Sequence, residues 1–179
     1  IFIFSLGAIV GSFVNVLTVR LKEASSLWGR SRCPECRKPI RARHLVPLFS
    51  WFMLRGKCAD CHKPIHPQYP LVELASGILL VIAFLRCDFF LFEGLFTINL
   101  LMLTVFDWRF RLLPIEWMIG SAAFFGAWSV LIGFVTWPSL VIGCLVGAAF
   151  LGIQVLISKG KWMGLGDPWM AGLIGAALG

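Results

Sequence analysis

The sequence predicts an all-α polytopic membrane protein of about six transmembrane helices, with a cytoplasmic zinc-ribbon-like insert between the first two. Three observations predict this class. Of the 179 residues, 59% are hydrophobic and only 14% charged, where a soluble domain carries about 25% charged residues. The apolar residues fall in runs close to the roughly 20 residues that a spanning helix needs. The net charge of +7 is concentrated in one polar stretch: Lys22 to Gln68 holds ten Lys/Arg against the three acids Glu23, Glu35 and Asp60, and the remainder is balanced. The composition excludes a water-soluble globule, and the sixteen Phe and eight Trp exclude a disordered chain.

The first span is Ile1 to Val19, closed by Arg20 and Lys22. It lacks a basic n-region and a small-residue cleavage site, so it reads as a true span and not as a signal peptide. The second, Leu71 to Leu85, is opened by Pro70, a residue suited to a first helical turn, and closed by Arg86, Cys87 and Asp88. A third runs from Phe89 to Phe106, a fourth from Ile115 to Val135, a fifth from Leu140 to Ile157, and a sixth from Pro168 to Gly179. The chain begins and stops within apolar runs, so truncation at both ends is expected. The organisation expected is a first transmembrane helix over 1–21, a basic insert over 22–69 and a membrane core over 70–179.

The positive-inside rule sets the orientation. With the insert inside, the inner connections carry Arg109, Arg111, Lys159 and Lys161, whereas the outer turns hold Arg86 beside Asp88 and Glu93. Asp107 and Asp167 then lie at the membrane face that bears the insert. Small residues at i, i+4 mark close helix contacts: Gly11 with Asn15, Gly143 with Gly147, and Gly175 with Gly179. No internal repeat, heptad run or low-complexity tract is visible.

The insert contains Cys33-Pro34-Glu35-Cys36 and, twenty-one residues on, Cys58-Ala59-Asp60-Cys61. Two such pairs are the spacing of a tetrahedral four-thiolate zinc site. Each is followed, after Arg37 or His62, by Lys-Pro-Ile, which predicts two pseudo-symmetric ribbons. Reducing cytoplasm favours metal over disulfides, with redox dithiols and a metal-free insert as the alternatives. A four-thiolate shell leaves no open position, so the metal would organise the domain. Cys87 and Cys144 read as packing residues, and His44, His62 and His66 as surface residues, with ligation by one of them as an alternative. The basic insert suits anionic lipid better than nucleic acid.

Ionisable groups near membrane depth are functional candidates by default. Asp107 directly follows the third span, and Asp167 closes Gly164-Leu165-Gly166-Asp167 before the sixth. Two carboxylates brought together can divide acid and base work, since like charges disfavour double ionisation. The structural alternatives are pairing of Asp107 with Arg109 or Arg111, and capping by Asp167 ahead of Pro168. Glu73 and Glu116 read as first-turn acids favoured by the helix dipole, with a direct role as the alternative for Glu73.

Together these motifs resemble the type IV prepilin peptidases, the GxGD membrane aspartyl proteases that process type IV prepilins and type II secretion pseudopilins. The resemblance rests on Gly11-Ser12-Phe13-Val14-Asn15-Val16 with Arg20, the paired C-x-x-C motifs, and Ser50-Trp51 with Leu54-Arg55-Gly56-Lys57-Cys58. It continues through Tyr69-Pro70-Leu71-Val72-Glu73-Leu74, Asp107 with Leu112-Leu113-Pro114, and Gly164-Leu165-Gly166-Asp167. It implies a bacterial inner-membrane enzyme with its active site on the cytoplasmic face. That enzyme cuts a basic leader after a glycine, using Asp107 and Asp167 as catalytic residues, with Gly164 and Gly166 shaping the loop. It also implies N-methylation of the new terminus with S-adenosylmethionine, although no glycine-rich nucleotide motif locates a cofactor pocket. The chain departs from the family at Ile115, where an acidic residue is frequent, and at Trp169, where lysine is common. The alternatives are a non-enzymatic scaffold whose zinc ribbon recruits a secretion or pilus partner, and a small transporter. The transporter is disfavoured because the acids cluster at one face.

Overall fold

The computed structural model describes residues 1–23, 26, 29–86 and 88–179. Its described residues form seven α-helices and no regular strand: α1 (Phe2–Lys22), α2 (Phe49–Met53), α3 (Gln68–Arg86), α4 (Phe90–Phe110), α5 (Ile115–Leu131), α6 (Trp137–Ser158) and α7 (Asp167–Leu178). Helices α1, α3, α4 and α6, at 19 to 22 residues, are long and apolar enough to cross a membrane. At 1.5 Å per residue, the 17 residues of α5 reach only about 26 Å, short of a hydrocarbon core of about 30 Å. The protein is thus a multi-pass, all-helical membrane protein. Two compact units divide it, Ile1–Val105 and Phe106–Gly179.

In the first unit α1 lies against α3 with almost no side chain between the backbones. A Cβ on Gly7 would stand 2.7 Å from the Ser76 carbonyl oxygen and 2.8 Å from the Gly77 Cα, and one on Gly11 would stand 2.9 Å from the Glu73 Cα. Glycine is therefore required for this approach, as expected from small-residue helix contacts in membranes. The Ser76 hydroxyl donates to the Gly7 carbonyl at 2.8 Å, tying the helices at the crossing.

The second unit repeats the device. Cβ atoms on Gly143 and Gly147 of α6 would each come to 2.6 Å of a carbonyl oxygen of α7, at Gly175 and Ala171 respectively. The glycine pairs of the fifth and sixth spans are thus the α6–α7 interface. Cys144 is half-buried, with its sulfur 3.7 Å from where a Gly172 Cβ would stand, which fits a packing role. Cys87 lies outside the described residues.

Candidate functional site

The insert is built on two matching knuckles. In the first, the Cys33 amide donates to the Lys38 carbonyl (3.1 Å), the Arg37 amide to Cys33 (2.9 Å) and the Ile40 amide to Ser31 (2.8 Å). In the second, Cys58 donates to Lys63 (2.9 Å), His62 to Cys58 (3.0 Å) and Ile65 to Gly56 (2.6 Å). Antiparallel bridges close both, at Arg32 with Pro39 and Lys57 with Pro64. Arg37 and His62 occupy the same left-handed position, with φ of 56° and 58°. The Lys-Pro-Ile tripeptides are therefore the return arms of the two pseudo-symmetric ribbons.

The knuckles bring the sulfurs of Cys33, Cys36, Cys58 and Cys61 within 4.8 Å of one another, with Cys33 and Cys61 3.9 Å apart. Tetrahedral zinc with Zn–S bonds of about 2.3 Å separates its sulfurs by about 3.8 Å, so the cluster can hold a metal such as zinc. Its electrostatics call for a cation. Backbone amides of Cys61 and Asp60 pull the Cys58 thiol down to about 7. The Lys63 amide also favours a Cys61 thiolate, but desolvation and the three neighbouring sulfurs prevail and push that thiol up to about 11. Without a cation, one thiolate opposes the next. No histidine belongs to the cluster; His66 instead accepts the Gln68 amide at 3.1 Å.

A polar junction joins the insert to the membrane helices. Asn15 of α1 donates to the Tyr69 carbonyl at 3.2 Å and accepts from the Gln68 side chain at 3.4 Å. Glu73 is buried, and its Oε2 accepts the Leu48 amide at 2.7 Å. This corrects the reading of Glu73 as a first-turn acid: α3 begins at Gln68, its first turn has no acid, and Glu73 tethers the residue that precedes α2. Glu116 does occupy the first turn of α5. Asn15 and Glu73 stood out in the sequence as polar groups in apolar spans; their partners, Gln68 and the Leu48 amide, did not.

Asp107 and Asp167 both belong to the second compact unit. Asp107 does not follow its helix, as expected from sequence, but lies within it, because α4 continues to Phe110. Its side chain is exposed and makes no ion pair with Arg109 or Arg111 among the described residues. Asp167 is the first residue of α7 and half-buried. Its Oδ2 accepts the Gly164 amide at 2.8 Å, while its own amide donates back to the Gly164 carbonyl at 3.3 Å. The two carboxylates share no hydrogen bond among the described residues, but the segments that carry them touch. Leu113, in the connection after α4, packs so closely on Gly166 that a Cβ there would meet its Cδ1 at 2.7 Å.

The family model described as the bacterial peptidase A24 N-terminal domain matches residues 5–87, which span α1, the insert and α3. Three similar proteins are each named prepilin leader peptidase/N-methyltransferase. The one from Myxococcus xanthus (strain DK1622) is 31% identical over 99% of this chain and 56% of its own length. That from Klebsiella pneumoniae is 32% identical over 99% of this chain and 84% of its own. That from Bacillus subtilis (strain 168) is 31% identical over 99% and 73% respectively. The chain thus spans little more than half of the first relative and about three quarters or more of the other two. No solved structure matches it.

Proposed function

This chain belongs to the prepilin leader peptidase/N-methyltransferase family, and from that premise we propose that it acts as a membrane aspartic endopeptidase. Its substrates on this reading are type IV prepilins or type II secretion pseudopilins, cut after a glycine between a basic leader and the hydrophobic pilin helix. The site faces the cytoplasm at the bacterial inner membrane, in line with the basic insert and inner connections. The observation that carries the reading is the contact of Leu113 with Gly166, which links the segment after Asp107 to the turn that holds Asp167.

In the proposed chemistry one carboxylate takes a proton from water while the other, protonated, donates to the scissile carbonyl. Water oxygen bonds to the carbonyl carbon, the C–N bond breaks, and the amine nitrogen gains a proton. The leader leaves with a carboxylate and the pilin with a free amino terminus. The Gly164 amide, bonded to Asp167 Oδ2, orients that carboxyl within its turn.

Cys33, Cys36, Cys58 and Cys61 would hold structural zinc, which supplies cross-linking of the two knuckles and no open coordination position. N-methylation of the new terminus is proposed from the family. The buried polar side chains Asn15, Gln68 and Glu73 do not fit the methyl donor S-adenosylmethionine, because Asn15 and Gln68 bond to each other and Asn15 to the Tyr69 carbonyl, while Glu73 is taken up by the Leu48 amide.

The test is processing of a matched prepilin in membranes by the wild type, Asp107→Asn and Asp167→Asn, with expression and metal content measured in each. Cleavage is expected to vanish in both variants with metal retained. Cleavage that persists in either removes that residue from catalysis and favours a scaffold role.

A further inference from the structure

The insert is polar, yet one edge of it is not. On α2, Phe49, Phe52 and Met53 are 64, 66 and 49% exposed, and Leu45 and Val46 just before it are 42 and 48% exposed. The exposed helical positions stand at i, i+3 and i+4, which is one face of a helix. The opposite face is fixed to the insert: the Ser50 hydroxyl donates to the Arg43 carbonyl at 3.2 Å and the Trp51 indole to the Ile65 carbonyl at 3.3 Å. So short a helix is held by these bonds, and the apolar face is left outward.

The depth of this face is set by Glu73. Leu48, the residue before α2, donates its amide to the Glu73 carboxylate at 2.7 Å. Glu73 lies five residues into α3, about 8 Å along the helix axis from its start. The tether therefore draws α2 to the level at which the apolar part of a span begins. Interfacial helices bury their apolar faces about 5–10 Å into the headgroup and acyl boundary, with cations toward the phosphates. Arg41, Arg43 and Arg55 flank the apolar edge and are all exposed.

We propose that this edge is a membrane-interfacial anchor: Phe49, Phe52 and Met53, with Leu45 and Val46, enter an anionic phospholipid leaflet, and the flanking arginines engage its phosphates. The insert is then held against the bilayer by Glu73 on one side and by lipid on the other. This inference does not depend on the peptidase reading.

The experiment places a benzophenone amino acid at Phe49, Phe52 or, as a control in the first knuckle, Lys38. The full chain is reconstituted in vesicles of phosphatidylcholine and phosphatidylglycerol, irradiated, and its adducts are identified by mass spectrometry. Lipid adducts are expected at 49 and 52 and not at 38. Phosphatidylglycerol should exceed its mole fraction roughly twofold or more, and the Arg41→Gln/Arg43→Gln/Arg55→Gln variant should lose that enrichment. Adducts to protein, whether this chain or a second copy, or lipid adducts without enrichment, would overturn the proposal. Each benzophenone protein carries all three arginines, so these outcomes are readable even if the triple variant misfolds.

Discussion

Replacing Gly166 by alanine should cripple processing while leaving the fold standing, and a single contact supplies the reason. An added Cβ would lie 2.7 Å from the Leu113 Cδ1, 2.9 Å from its Cβ and 3.2 Å from its Cγ, and real Cβ contacts essentially never fall below 3.0 Å. A Cδ1 can rotate away, but the Leu113 Cβ moves only with its backbone. Overpacking of this kind costs about 1–3 kcal/mol, or roughly 2–4 °C of melting temperature per kcal/mol for a chain of this size. The strain is relieved by shifting either the turn ahead of Asp167 or the connection after Asp107. Misplacing a reacting group by about 1 Å costs on the order of 100-fold in rate, so a fall of about 10- to 100-fold in cleavage is expected. Gly164→Ala is the control, because its Cβ would meet nothing closer than Asp167 Oδ2 at 3.8 Å and should leave cleavage near wild type. Adding Leu113→Gly to Gly166→Ala removes the Cβ together with the atoms beyond it, opens the space and should restore about tenfold. In-membrane prepilin cleavage, read beside thermal unfolding in detergent, decides the matter. Wild-type cleavage by Gly166→Ala, or no recovery in the double variant, would refute the coupling of the two segments.

Four further outcomes follow from the geometry. After chelation, differential alkylation at neutral pH should label Cys58, held near 7, well before Cys61, pushed up to about 11. Because metal binds thiolates, retained metal should fall as pH is lowered, which elemental analysis across a pH series would follow. Gly11→Val should separate α1 from α3, since even a Cβ meets the Val72 carbonyl at 2.9 Å; a loss of about 1–3 kcal/mol is expected, measured by unfolding in detergent. Glu73→Ala should leave the Leu48 amide without its acceptor, costing about 1–3 kcal/mol and accelerating hydrogen exchange at that amide, whereas Glu73→Gln retains an acceptor oxygen and should show a smaller change.

The helices were legible because hydrocarbon imposes length and apolarity on each span, and the glycine pairs were legible because backbone contact admits only small residues. The helix ends were less so. The last turn of α4, Asp107-Trp108-Arg109-Phe110, alternates charged with aromatic residues and continues a helix that hydropathy would stop at Phe106. The four cysteines declared their cluster by spacing alone. The two glycines of Gly164-Leu165-Gly166-Asp167 look equivalent in sequence, yet they serve different purposes: Gly164 offers its amide to Asp167, and Gly166 makes room for Leu113. Only the second use demands glycine, and it depends on a residue more than fifty positions away.

The polar residues of the spans follow the same logic. A buried carboxylate or amide announces a partner because leaving it unpaired in an apolar setting is costly, but not which partner. For Glu73 the partner is a backbone amide, at Leu48, and any residue but proline supplies one there; no side chain needs to betray it. The Leu48 backbone does carry a mark, a φ of 62° on a non-glycine residue, at the point where the chain turns into α2. That conformation aims the amide at Glu73 and starts α2 with Phe49 and Phe52 facing outward. The same turn therefore fixes both the depth of the insert and the direction of its apolar edge, so loss of the Glu73 acceptor should loosen the insert from the helices and from the lipid together.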